Sequence, residues 1–215
     1  EFAADLAKEA RGEGTLEYRD PVEFFGRTYV TEGMKSLLVQ SLQRVAGAGG
    51  EPVIQLKTAF GGGKTHSMIV GTALNPAKAK RPADLPGVTV NTVWGEIGYQ
   101  LAISKGDPSI YEYVRDADRK GVSPGSQSLA EMFDECGRVL VLVDELVAYA
   151  KKLYGVEKLP AGSFDNFITF IQELTEAARA SKCSLVVASI PESEREIGGE
   201  SGQRSCGRGI GRSRR

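Results

Sequence analysis

At 215 residues and a net charge of −1, the chain can bury one good hydrophobic core and has no charge excess to draw it to nucleic acid or an anionic membrane. Its apolar and charged fractions, 41% and 26%, are those of an ordinary soluble domain, and no apolar stretch approaches the length of a membrane span. Cys136, Cys183 and Cys206 have neither metal-ligand nor disulfide spacing, which points to a reduced cytoplasmic setting, and a single histidine, His66, excludes His-based metal or nucleophile machinery.

The first 50 residues read as a helical N-terminal segment. Residues 1–13 read as an amphipathic helix, with Phe2, Leu6 and Ala10 at helical spacing. Residues 1–20 are acidic, mixed and polar, unlike a signal peptide, and a start at Glu1 rather than Met leads us to expect a fragment or a trimmed chain. Asp20 and Pro21 form an N-cap and first-turn pair, so a helix is expected from there, carrying Phe24, Phe25, Thr28 and Tyr29. The aromatics either cover an adenine or pack between helices. Thr31, Glu32 and Gly33 break that helix, and another carries Met34, Leu37, Leu38, Ser41 and Leu42 up to a glycine-rich stretch at 47–50.

Residues 51–199 read as the core. An apolar strand at 53–56 runs into Thr58, Ala59, Phe60, Gly61, Gly62, Gly63, Lys64, Thr65 and His66. Alone this stretch reads as either a phosphate-binding loop or an ordinary glycine-rich loop, and the strand before it favours the first. Glycines let successive N–H groups turn inward around an anion, and the following helix points its positive end at the same place. Lys64 can reach the outer phosphates of a nucleotide, and the Thr65 hydroxyl can ligate Mg²⁺. The standard pattern has a glycine where Thr58 stands, and Gly61 and Gly62 supply flexibility instead. His66 either touches phosphate or packs against the sheet.

The helix after the loop is short: Gly71 follows Thr65 by six residues, and Asn75-Pro76 ends any helix. A Pro/Lys/Ala-rich loop covers 76–86 and a strand is expected over 88–93. Trp94, Gly95 and Glu96 form a junction, and a helix spans 97–103. Residues 110–118, with Tyr111 and Tyr113, read as a charged helix with a solvated face. A turn and cap at 123–126 precede a helix whose apolar face is Leu129, Met132 and Phe133, closed by Gly137.

The second motif is at 138–145, R-V-L-V-L-V-D-E. The apolar run fits a strand buried on both faces of a parallel sheet, with two acids at its carboxyl end, where open α/β sheets bind ligands. Asp144 is placed to hold Mg²⁺, and Glu145 is a candidate general base for a water attacking a γ-phosphate. Alone, the two acids also read as a helix N-cap pair. Residues 163–181 give the clearest helix, with Ser163 as cap and a stripe of Phe164, Phe167, Ile168, Ile171, Leu174 and Ala178. A further buried-strand run at 183–190 ends before Pro191. Its Ser189 either orients the attacking water or is an ordinary strand-end serine. Residues 200–215 form an Arg/Gly-rich tail that reads as disordered and could contact nucleic acid phosphates by charge alone. The expected class is an α/β P-loop NTPase, a parallel sheet flanked by helices.

With these residues in hand, the chain resembles the amino-terminal part of large bacterial and archaeal AAA-like P-loop ATPases that often lie near phage-defence genes, akin to the ATPase component of bacteriophage-exclusion systems. The resemblance rests on Y-R-D-P-V-E-F-F-G-R-T-Y-V-T-E-G at 18–33, F-G-G-G-K-T-H-S at 60–67, T-V-W-G-E at 92–96, V-D-E-L-V-A-Y-A at 143–150 and L-P-A-G-S-F at 159–164. It implies that Gly61, Gly62, Gly63, Lys64 and Thr65 bind nucleotide phosphates, that Asp144 holds Mg²⁺ and that Glu145 is the catalytic acid. It also implies protein partners or self-assembly through carboxyl-terminal regions. Relatives carry a longer stretch after the loop helix, so a shortening after residue 70, and with it loss of a central strand, is expected. They also continue in ordinary sequence where this chain becomes Arg/Gly-rich, so a frameshift near Ser201 is expected. The leading expectation is Mg²⁺-dependent ATP hydrolysis that drives remodelling or switching. The alternatives are an ATP-sensing module without turnover and a P-loop phosphotransferase. Arg179 and Arg195 are the candidates for an arginine finger.

Overall fold

The computed structural model describes residues 20–27, 29–58, 69–70 and 74–191. The expected helix at 1–13, the glycine loop from Ala59 to His66 and the tail after residue 199 lie outside the described residues.

Asp20 accepts a hydrogen bond from Val22 N at 2.8 Å and starts α1 (Pro21–Arg27), as the Asp-Pro pair predicts. Thr31 then caps α2 (Glu32–Val45) by accepting from Met34 N at 3.2 Å, so Glu32 and Gly33 belong to the first turn of α2 rather than to a break. Tyr29 is 87% exposed and packs between no helices.

Four strands form an all-parallel sheet in the order β1-β4-β3-β2: β1 (Val53–Thr58), β2 (Ile69–Val70), β3 (Val139–Asp144) and β4 (Ser184–Pro191). Three are full strands and β2 is a two-residue edge. The central strand β4 buries Leu185, Val186 and Val187 in succession, as a strand covered on both faces must. The run in β3 instead alternates: Val139, Val141 and Val143 are buried while Leu140 is 39% exposed, so only one of its faces is fully covered. The structure places a strand at 69–70, within the stretch expected to be the end of the loop helix.

Helices α3 (Val93–Lys105), α4 (Glu112–Lys120), α5 (Ser126–Cys136), α6 (Leu146–Leu153) and α7 (Phe164–Ala180) complete the α/β fold, with a 3-10 turn at Pro108–Tyr111. Both α6 and α7 pack on β4. Ser163 caps α7 by accepting from Asn166 N, as expected. The buried stripe of α7 is Phe167, Phe170, Leu174, Ala177 and Ala178, while Ile168 points outward. Arg44 ties α2 to the core. Its guanidinium donates to Ala178 O at 2.8 Å, Ser181 O at 2.5 Å and Ser184 O at 2.9 Å, satisfying carbonyls where α7 ends and β4 begins.

Two expectations fail here. Residues 88–93 form no strand; Val90 makes only an isolated antiparallel bridge with Lys80, and Thr92 caps α3 by accepting from Gly95 N at 2.9 Å. Trp94, Gly95 and Glu96 are thus the first turn of a helix. Nor is 110–118 a solvated face, since Ile110, Tyr111, Val114 and Asp118 are all buried. The reason is Asp118. Its carboxylate accepts from Thr92 N at 2.8 Å, Thr92 Oγ1 at 2.5 Å, Asn91 N at 3.1 Å and Tyr111 Oη at 2.6 Å, enough donors to hold a carboxylate in the core.

Candidate functional site

The sheet's register brings the two sequence motifs to one edge. Thr58, the last residue of β1, stands opposite Pro191, and Leu56 opposite Ser189. Val143 stands opposite Ala188, and Asp144 pairs on its other side with Val70. The carboxyl ends of all four strands therefore lie together. The chain leaves β1 at Thr58 into the glycine loop two strand spacings from Asp144, roughly 10 Å at about 4.8 Å per spacing.

At that edge the Ser189 hydroxyl donates to Asp144 Oδ1 in a short hydrogen bond. Ser189 is buried and Asp144 half-buried. Glu145 N also donates to Asp144 Oδ1, at 3.0 Å. Both donors fall on one oxygen, so Oδ2 has none among the described residues. No group of three or more His, Cys, Asp or Glu side chains suited to a metal occurs among the described residues. Mg²⁺ held against phosphate needs only one or two carboxylates, a demand Asp144 can meet.

Glu145 has φ 56° and ψ 33°, the left-handed region, which is unusual for a residue with a Cβ. It stands at the N-cap of α6, and its carbonyl accepts from Tyr149 N at 3.2 Å. Its side chain makes no capping hydrogen bond. The side chains of the acid pair do not cap α6: the Asp144 carboxylate faces Ser189, and the Glu145 carboxylate has no hydrogen-bond partner among the described residues. Nothing in the sequence marks Glu145 as left-handed, because only glycine and asparagine advertise that conformation.

Of the remaining candidates, Thr58 is described in its backbone alone, and Ala59, Phe60, Gly61, Gly62, Gly63, Lys64, Thr65 and His66 lie outside the described residues. Arg195 does too. Arg179 lies in the last turn of α7, just ahead of the start of β4, hence at the amino edge of the sheet and a strand's length from Asp144. The structure does not bring it to the acid pair.

Tyr149, one turn along α6 from Glu145, is buried with its ring 5.3 Å from that of Phe167. Burial and then the negative charge of Asp118 push its hydroxyl up to about 12. The V-D-E-L-V-A-Y-A stretch thus combines a strand end, two acids and the aromatic that seats α6 in the core.

Comparison with known families gives a match to the DUF499 N-terminal domain over residues 1–71 and 71–208, together nearly the whole chain. No curated protein and no solved structure matches it.

Proposed function

The chain belongs to the DUF499 N-terminal domain family, and we propose that within it the chain binds ATP with Mg²⁺ and hydrolyses it, using the energy to switch or remodel a larger assembly. The observation that carries this reading is the Ser189–Asp144 hydrogen bond on adjacent parallel strands, at the edge where β1 enters the glycine loop. Bound Mg²⁺ would neutralise the charge developing on the phosphates. In this reading Lys64 and the loop N–H groups grip the phosphates, and Asp144 and Thr65 hold the metal. Ser189 fixes which Asp144 oxygen faces it, and Glu145 accepts the proton of the attacking water. The unengaged Glu145 carboxylate supports that last role.

Binding of a fluorescent ATP analogue is expected to vanish in Lys64→Ala; persistence would remove the loop from the reading. Phosphate release is expected to collapse in Glu145→Gln with affinity retained. A second reading, an ATP-dependent binding module without turnover, is kept because no arginine among the described residues is identified as one that acts in trans. Retained affinity in the wild-type chain with no phosphate release would select it.

A further inference from the structure

Away from the acid pair, an open cleft of about 330 Å³ lies between the loop that follows β2 and the starts of α3 and α6. Three cations line it, Lys78, Lys80 and Arg81, against one carboxylate, Glu96. That carboxylate is already engaged: Lys80 Nζ approaches it at 2.9 Å and Gln100 Nε2 donates to it at 2.9 Å. Lys78 and Arg81 are exposed and make no ion pair among the described residues. In a chain of net charge −1 this is a local concentration of uncompensated positive charge.

The cleft is also built rather than loose. Lys80 and Val90 exchange both backbone hydrogen bonds at 2.8 Å, which pins the basic loop to the entry of α3. Asn91 and Thr92 on the opposite wall are held by the buried Asp118. Leu74, Val90 and the rim of Tyr149 supply an apolar floor.

We propose that this cleft is a second ligand site, which takes a small organic phosphate. Its volume is at the lower end of small-molecule sites, its cations suit a dianionic group, and its floor suits a compact body attached to that group. Single-stranded nucleic acid fits less well, because it needs exposed aromatic platforms. Among the described residues the one aromatic lining the cleft, Tyr149, is buried against Phe167. The site is independent of the ATPase reading, although α6 follows directly on Glu145 and forms part of the floor.

The test uses the full chain carrying Lys64→Ala, so that the glycine loop does not contribute, and titrates ribose 5-phosphate, ribose and a single-stranded oligonucleotide by calorimetry. Ribose 5-phosphate is expected to bind saturably and ribose not to bind. Adding Lys78→Ala and Arg81→Ala is expected to weaken the affinity by about tenfold or more, as loss of charge-assisted contacts should. Both side chains are exposed, so an unchanged melting temperature will show that the fold survives. Absence of saturable binding, equal binding of ribose, undiminished affinity in the Lys78/Arg81 variant, or binding of the oligonucleotide alone would each overturn the proposal. None of these outcomes bears on whether Lys64 binds ATP.

Discussion

Glu145 holds a backbone conformation that costs an L-residue roughly 1–2 kcal/mol, and no side-chain hydrogen bond among the described residues offsets it. A strained residue persists when something else requires it, and here the strain turns the chain from β3 into α6 beside Asp144. Glu145→Gly should relieve it. We expect a stability gain of about 1 kcal/mol in urea denaturation, together with loss of phosphate release. A destabilised Glu145→Gly would mean that the carboxylate has a structural partner after all. Tyr149 gives a second prediction at this scale. Its hydroxyl titrates near 12 in the fold, as against about 10 in an unfolded chain. Tyr111 is pushed up as well, by burial and then by its hydrogen bond to Asp118. A raised folded pKa means that the stability it contributes is complete below pH 10 and is lost as pH climbs towards 12. The urea midpoint should therefore be flat to about pH 9 and fall above about pH 10. The fall should be shallower in Tyr149→Phe, and an identical slope in that variant would show that its ionisation is not coupled to folding.

Among the elements, the α3–α4 pair shows how a local pattern can mislead. Residues 88–93 are β-branched and alternate, which is a strand signal, yet Thr92 has a better use as a cap, with its hydroxyl shared between Gly95 N and Asp118. The charged run 110–118 looks solvated because, Tyr111 apart, the donors that satisfy Asp118 come from Asn91 and Thr92, more than twenty residues earlier, where no local period can show them. By contrast, α7 and strands β3 and β4 were legible, because their signal is an apolar period within one segment. The acid pair was legible for the same reason: it sits at the end of such a run. Ser189 was legible only as a strand-end serine, since its partner is set by sheet register. Gly95 is the element-scale test. A Cβ there would collide with the Asp118 carboxylate, and one on Gly98 would collide with Val114. Gly95→Ala should cost about 3 kcal/mol, since the obstacle is a hydrogen-bonded hub rather than a flexible tip. If the variant shows an unchanged denaturation midpoint, the α3–α4 contact is looser than this packing implies.

The whole molecule poses the question of whether so small a sheet can support a nucleotide site. The edge strand β2 has two residues, and the family match is divided at residue 71, just beyond it. The expected shortening of the sequence falls at the same point. Yet the three strands that carry the loop entry, Ser189 and Asp144 are full length and hydrogen-bonded to one another, with β4 buried between its neighbours. The three strand ends that bear Thr58, Ser189 and Asp144 therefore do not depend on β2 for their pairing with one another. Binding to the folded state alone raises stability by RT ln(1 + [L]/Kd), about 2.7 kcal/mol at a hundredfold excess over Kd. For a domain of this size that is a rise in melting temperature of about 5–10 °C. We expect ATP with Mg²⁺ to produce that shift in the wild-type chain, a smaller one without Mg²⁺, and none in Lys64→Ala. A wild-type chain that melts at the same temperature with and without saturating ATP and Mg²⁺ would mean that this sheet does not assemble the site, however well its separate strands are formed.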